Sequence, residues 1–474
     1  MALQDDQACR ESGEEMSLLS VPVVRSASGG AALNRALFSK KIGLAAATVK
    51  DAKNIGKYRQ ALQSGGEILR AERLSAVAPD PDKDLAARGR KCLLLRPGIR
   101  ADDSGTWGPV LKEGVQKEDL GVVPYELALD YDYWTYYDVM ASILPEEFHD
   151  DIPNGFNTVG HVAHLNLRDR FRPYKKLVGE VLVDKNPQIR TVINKIDNVG
   201  TESEYRTFEY EVLAGPDDLD VEVMEGGCVF RFNYAKVYWN SKLETEHRRI
   251  INLFKPGEVV CDVMAGIGPF AVPAGKNGVF VWANDKNPES HFYLKKAIEA
   301  NKVSQFVRPF NEDGRTFIRD AADAVLEASR NGEGAVLPPK RSPRMALPVA
   351  PEPRRVPLPP TISHFVMNLP ASAITFLGSF KGVYSGSEAL FAPKTGTKPP
   401  LVHVHCFALK SDDSVPLIDI CERISKEIGV TMKPGDPEVE GEVGIHDVRD
   451  VAPAKRMFCA TFRLPAEVAF APRE

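Results

Sequence analysis

The sequence predicts an α/β protein whose C-terminal half is a doubly wound, Rossmann-like sheet, preceded by a mixed α/β domain and a small N-terminal α/β domain. From Pro256 onward, apolar strands at 259–263, 278–283, 306–310, 364–367 and 401–407 alternate with helical segments, a pattern that builds a largely parallel sheet covered on both faces. The first strand runs into a glycine turn, Gly266-Ile-Gly268-Pro-Phe-Ala271, and the second ends in a carboxylate, Asp285. A chain of 474 residues also exceeds what one core supports, which calls for two to four domains.

Taken in order, residues 1–30 form a flexible N-terminus. Residues 31–135 combine a helical stretch over 43–65 with the strand 92–96. Residues 136–144, ending at Pro145, suit a helix that opens a middle domain over 136–252. That domain alternates β-rich runs at 176–183 and 191–195 with turns, then presents the alternating strand 228–234. The final domain, 253–474, carries a helix over 288–302 with Phe292, Leu294, Ile298 and Ala300 as its apolar stripe. Segments 448–451 and 457–464 pair as a closing antiparallel hairpin. Residues 331–361 form an insertion. Its 338–360 portion holds nine prolines and five Lys or Arg against one Glu, which cannot build a core and reads as extended or disordered.

Composition narrows the function classes. A net charge of −5 gives no whole-chain electrostatic case for nucleic acid, so any such case rests on local patches. Seven cysteines without a C-x-x-C pair argue for a reduced compartment and against a zinc framework. No apolar run reaches the roughly 20 residues that span a bilayer. From Met16 to Lys50 there is no acidic residue, while Arg25, Arg35, Lys40 and Lys41 sit among Ser, Ala and Leu. That is the composition of a mitochondrial transit peptide as well as of an ordinary basic arm.

The glycine turn aims backbone N–H groups of Gly266 to Gly268 from a helix N-terminus, and Asp285 stands where it can bind ribose hydroxyls. A nucleoside-containing cofactor follows, though the pattern also satisfies a relaxed dinucleotide fingerprint. Asp262, on the first strand, favours S-adenosylmethionine, because a second carboxylate there can face the amino-acid end. Pro269 suits a first helical position, and Pro273 is expected to kink the helix. At the end of the fourth strand stands Asn368-Leu-Pro370, beyond the carboxyl edge where doubly wound sheets bind ligands. The Asn carbonyl can accept from a target nitrogen, as in methyltransferases acting on amino or ring nitrogens. Asp313-Gly314 completes the pocket, with a carboxylate able to accept from the adenine amino group.

In the middle domain, Arg168, Arg170, Phe171, Arg172, Tyr174, Lys175 and Lys176 interleave cations with aromatics. That mixture suits a splayed RNA loop as well as a solvated face. His161 and His164 have ligand-like spacing, but no Cys or carboxylate cluster completes a metal site, so no metal is expected.

Five ordered blocks carry a closer resemblance: Gly160-His-Val-Ala-His-Leu-Asn-Leu, Val237-Tyr-Trp-Asn-Ser-Lys-Leu-x-Thr-Glu-His247, the glycine turn, Asn284-Asp-Lys-Asn-Pro288 and Met367-Asn-Leu-Pro370. Over about residues 120–464, apart from the insertion, the chain resembles the archaeal and eukaryotic tRNA (guanine-37-N1)-methyltransferases; the first hundred residues match more loosely. The resemblance implies a class I methyltransferase sheet, S-adenosylmethionine as cofactor and a tRNA anticodon loop as partner, with the N-terminal module gripping the elbow. It implies Glu225 as the base that removes the N1 proton, Arg206 as the cation steadying O6, and Asn368 and Pro370 as base-positioning residues. It adds His247 and Lys286 to Asp262, Gly266, Gly268, Asp285, Asp313, Gly314 and Asn368 around the cofactor. A monomer in cytoplasm and nucleus, with a mitochondrial matrix pool, is expected. The rival readings are an aminocarboxypropyl transferase of wybutosine synthesis and a catalytically silent RNA-binding protein.

Overall fold

The computed structural model describes residues 19–25, 32–196, 205, 207–337, 353–411 and 413–473. The chain divides into two compact units. The first comprises the chain up to Phe156 with Leu165–Asn194 and Val212–Pro216; the second comprises Asn157–His164, Lys195–Glu211 and Asp217 onward.

In the first unit, β1 (Lys40–Val49), β2 (Val77–Pro79), β3 (Lys91–Leu94) and β4 (Leu120–Leu129) form a sheet in the order β2-β3-β1-β4. The helix expected over 43–65 is therefore corrected: its alanine-rich first half is an inner strand of the sheet, and only the 3-10 turn Ala52–Asn54 and the α-helix Ile55–Ser64 are helical. Ala46 pairs with Leu94 on one side and Val123 on the other, and two-sided strand pairing overrides the helix propensity of alanine. Tyr58 and Leu62 of the helix then cover Ala45, Ala47 and Leu93 of the sheet.

The helix Tyr136–Ile143 forms as expected, opened by a capping box in which the Thr135 hydroxyl accepts from the Asp138 N–H and the Asp138 carboxylate accepts from the Thr135 N–H. The run 176–183 is not β-rich; it lies within a helix, Lys175–Lys185. Its buried residues, Leu177, Val178, Val181 and Leu182, recur at helical spacing. Gly179 lies under Leu213, where a Cβ would sit 2.7 Å from the Leu213 Cβ.

The middle of the chain supplies a hairpin of β5 (Asn157–Val159) and β6 (Val162–Leu165), the strands β7 (Thr191–Lys195) and β8 (Tyr210–Ala214), and a hairpin of β9 (Asp220–Glu225) and β10 (Cys228–Asn233). His164 and Tyr234 stack with ring centroids 5.6 Å apart and join Nδ1 to hydroxyl at 2.6 Å. Burial pushes the His164 pKa down to about 3, so the ring is neutral. His161 is bound to the Asp218 carbonyl at 3.1 Å.

The second unit is dominated by an eight-stranded sheet. Its strands are β11 (Val259–Asp262), β12 (Phe280–Asn284), β13 (Val307–Phe310), β16 (His364–Met367), β17 (Leu401–Leu409), β18 (Lys433–Pro434), β19 (Glu442–Ala452) and β20 (Lys455–Arg463), in the order β13-β12-β11-β16-β17-β20-β19-β18. The five strands from β13 to β17 are parallel, and β20 runs antiparallel between β17 and β19. β11 is buried at every position, as a central parallel strand must be. The helix Pro288–Ala300 buries Ser290, Leu294, Ala297 and Ile298, while Phe292 is 47% exposed and Ala300 exposed. Leu294 and Ile298 thus hold the expected stripe, while Phe292 and Ala300 fall off it.

β14 (Gly334–Leu337) and β15 (Arg354–Pro357) form a separate antiparallel hairpin with Leu337 opposite Arg354. Ordered strand pairing therefore occupies both ends of the insertion expected over 331–361. Its central part, 338–352, lies outside the described residues. Among the described residues, no helix is long and apolar enough to cross a membrane.

Candidate active site

At the carboxyl ends of the parallel strands, a cavity of about 260 Å³ is lined by Gly266, Asp285, Asp313, Asn368 and Phe376 among others. Each element delivers its residue by a local device. β11 ends at Asp262, and the chain then turns through Gly266 (φ +58°) and Gly268 (φ +95°), a left-handed backbone that glycine adopts without a Cβ penalty. At Gly268 a Cβ would also sit 2.7 Å from Leu294 Cδ1, whereas nothing lies within 4 Å of one at Gly266. The first glycine thus leaves room for a ligand, and the second lets the following helix close on Pro288–Ala300. The Gly268 carbonyl accepts from Val272 N–H at 2.9 Å, but Pro269 lies ahead of the N-cap, Phe270, rather than at the first helical position. The helix proper is short, Ala271–Lys276, with Pro273 inside it.

Asp285 accepts the Gly266 N–H at 2.8 Å and the Asn287 N–H at 2.9 Å. Burial nevertheless raises its pKa, with those bonds opposing. Asp313 caps the helix Gly314–Arg330 by accepting from Arg315 N–H at 2.9 Å, and Lys286 Nζ stands 3.8 Å from its other oxygen. Gly314 packs close to Phe376 and Val263, each 3.1 Å from where a Cβ would be. Asp262 lies one residue behind the wall formed by Val263 and Met264. It is completely buried, and both its oxygens are without a hydrogen-bond partner among the described groups. Burial, then the nearby Asp285, pushes its pKa well above the usual carboxylate range. Asn368 lines the cavity with its side-chain oxygen buried and likewise unpartnered, while Pro370 sits behind it, its carbonyl accepting from Phe407 N–H at 3.1 Å.

Two residues assigned by resemblance lie away from the cavity lining. Glu225 and His247 are hydrogen-bonded to each other, 6% and 5% exposed, and neither lines the cavity. The His247 ring instead packs edge-on against Phe270, centroids 4.6 Å apart, just after the glycine turn. Arg206 lies outside the described residues, but its neighbour Tyr205 lines the cavity. The basic run is also revised. Phe171 is 2% exposed and cannot stack a base; Arg168 and Arg170 both pair with Asp151, and Arg172 pairs with Asp169 at 2.9 Å. Tyr174 lies edge-on to Phe148, and Lys175 and Lys176 begin the next helix.

Sequence reasoning missed several contributors. Tyr205, Tyr238 and Phe376 give the cavity its aromatic wall. Asn284, fully buried, donates to the carbonyls of Val263 and Glu312 and accepts from Glu312 N–H, tying the loops after β11 and β13 to β12. Its signal was the Asn preceding Asp285. Near the sheet, Glu246 accepts from Arg249 at 2.6 and 2.8 Å and is bound to His405 Nε2 at 2.7 Å.

A sheet of this order, with one antiparallel strand inserted near its edge and carboxylates gathered around a glycine turn, defines a class I methyltransferase. Residues 136–218 match the TYW2 N-terminal domain and residues 221–331 match the TRM5/TYW2 methyltransferase domain. A tRNA (guanine(37)-N(1))-methyltransferase of Neurospora crassa is 64% identical over 99% of this chain and 99% of its own length; one of Schizosaccharomyces pombe is 43% identical over 93% and 95%. The chain belongs to the tRNA (guanine(37)-N(1))-methyltransferase family. Its fold is shared with Trm5b from Pyrococcus abyssi (TM-score 0.53, 21% identity) and with aTrm5 solved in complex with tRNALeu (TM-score 0.56, 18% identity), each covering 89% of this chain and 99% of the other.

Proposed function

We propose that the cavity beside the glycine turn is where this enzyme transfers the methyl group of S-adenosylmethionine to N1 of the guanosine 3′ of the tRNA anticodon. The observation that carries this reading is the buried, unpartnered Asn368 oxygen on a residue that shares one cavity with Gly266, Asp285 and Asp313. The donor set fits the cofactor. Asp285 has lone pairs left for ribose hydroxyls, Asp313 and Lys286 bracket the adenine edge, and Asp262 offers an unsatisfied carboxylate to the amino-acid ammonium. When bound, the cofactor supplies an electrophilic sulfonium methyl.

The chain's own residues orient the nucleophile. A guanine must leave its stack to present N1, and Tyr205 and Tyr238 offer faces on which it can settle. Asn368 accepts a hydrogen bond from the base edge, and Pro370, tied to β17, stiffens that loop. Arg206, next to Tyr205 in sequence, steadies the charge that develops on O6. Glu225, hydrogen-bonded to His247, is the base that takes the N1 proton as the bond from N1 to the methyl group forms and the sulfonium C–S bond breaks, while His247 packs against Phe270 just after the glycine turn. We also read the enzyme as a monomer whose residues 31–135 reach toward the tRNA elbow, with cytoplasmic, nuclear and mitochondrial pools. A fusion of residues 16–60 to a fluorescent protein that stayed diffuse would remove the last.

The test is methylation of transcripts carrying guanosine or adenosine at position 37, with labelled S-adenosylmethionine. Guanosine alone should be modified, and Asn368→Ala should lose on the order of 10²-fold in kcat. Glu225→Gln, which removes the acceptor for the N1 proton, should lose on the order of 10²-fold in kcat. Modification of the adenosine transcript, or an unimpaired Asn368→Ala, overturns the reading. A mass increment larger than a methyl would assign aminocarboxypropyl transfer instead.

A further inference from the structure

Beside the reaction cavity lies a second cleft, of about 480 Å³, lined by Arg315, Arg319, Lys381 and Arg473 with the hydroxyls of Thr375 and Ser379. Asp320 is its sole acidic lining residue and Val383 its sole large aliphatic one. Such a wall rejects an apolar ligand and favours an anion. Arg315 belongs to both spaces: it lines the reaction cavity, its guanidinium lies 3.9 Å from the Phe376 ring centroid, and it donates to Thr375 Oγ1 at 3.3 Å. The stack fixes the guanidinium plane on the rim between them. Arg473 donates to the Gly382 and Val383 carbonyls at 3.0 and 3.1 Å and pairs with Asp323, so it serves the cleft's framework. Arg315, Arg319 and Lys381 are exposed.

We propose that this cleft binds the phosphodiester backbone flanking the target nucleotide. The inference rests on the proposed reaction, in which one base enters the cavity. The strand on either side of that base must then cross the rim, and Arg315 is the rim residue that leads into a trough with the charge and hydroxyl donors phosphates require. Arg319 and Lys381 extend the grip along the backbone without reading sequence.

The experiment compares the full-length enzyme with its Arg319→Gln/Lys381→Gln double variant, neither residue belonging to the catalytic or cofactor-binding set. The ligand is an anticodon stem-loop RNA titrated at several salt concentrations. The double variant should bind at least fivefold more weakly at 0.1 M salt. The slope of log K against log salt should become shallower by about 1.4, since each single-strand phosphate left without its cation accounts for about 0.7. Cofactor affinity and kcat at saturating RNA should stay within twofold. Methylphosphonate linkages on either side of the target should weaken the wild type more than the double variant, which keeps only Arg315 at the rim. Equal affinity and equal slope in the two proteins overturn the proposal. If the wild type instead methylates no tRNA, the reaction assignment fails and the cleft is not at issue.

Discussion

Asp262 combines complete burial with a carboxylate that nothing among the described residues satisfies. An unpaired buried polar group costs about 1–3 kcal/mol, more if charged, so this residue is kept against stability. Asp262→Asn should therefore hold or raise the Tm of the cofactor-free protein, yet weaken S-adenosylmethionine about tenfold or more and shrink the Tm rise the cofactor produces. Calorimetry with and without cofactor checks both signs, and a variant that lost Tm while keeping cofactor affinity would make Asp262 structural. Residues of this kind were legible in the sequence because each ends a strand: Asp262 on β11, Asp285 just past β12, Asn368 just past β16. Tyr205, Tyr238 and Phe376 were not, because a cavity wall assembled from three distant loops leaves no periodic trace. Phe171 misled for the opposite reason: an aromatic among arginines reads as a stacking platform, and only burial shows that it is core.

At the scale of elements, the parallel strands and the closing hairpin were readable from apolar runs between turns, while helices were confused with strands wherever composition outweighed periodicity. The β1 alanines and the valine-rich helix Lys175–Lys185 are the two cases, decided by pairing partners far along the chain. The helix Glu244–Ile251 is joined to β17 through Glu246 and His405. Burial disfavours charge on both. It is outweighed at His405 by Cys459 and Glu246, which raise its pKa to about 10, and at Glu246 by Arg249 and His405, which hold it at about 2. A raised histidine stabilises fully below its ordinary value of 6.5 and loses that contribution as pH climbs through about 10. A depressed carboxylate stabilises above 4.5 and loses its contribution as pH falls through about 2. Wild-type Tm should accordingly decline from pH 6.5 toward 10. His405→Gln should be destabilised by about 3 kcal/mol at pH 6 and decline less steeply. A parallel pair of Tm curves would exclude His405 as the titrating group.

For the whole molecule, the architecture was legible in its C-terminal half, where a repeating strand and helix order leaves few topologies, and obscure near the N-terminus, where one sheet joins strands from 40 to 129. The strand pairing at the two ends of the proline-rich segment was not legible, because β14 and β15 are each four residues long. With Leu337 opposite Arg354, the two ends of that segment are held at the spacing of neighbouring strands. Closing the segment between them carries a loop-closure entropy that grows with the logarithm of its length. Replacing residues 338–353 by an Asn-Gly turn should stabilise the protein by about 1–2 kcal/mol and leave kcat for methyl transfer unchanged, as thermal melts and turnover assays can show. The hairpin thus acts as a clasp: the pairing of β14 with β15 sets where the chain leaves and re-enters the domain, whatever the length of the segment it closes.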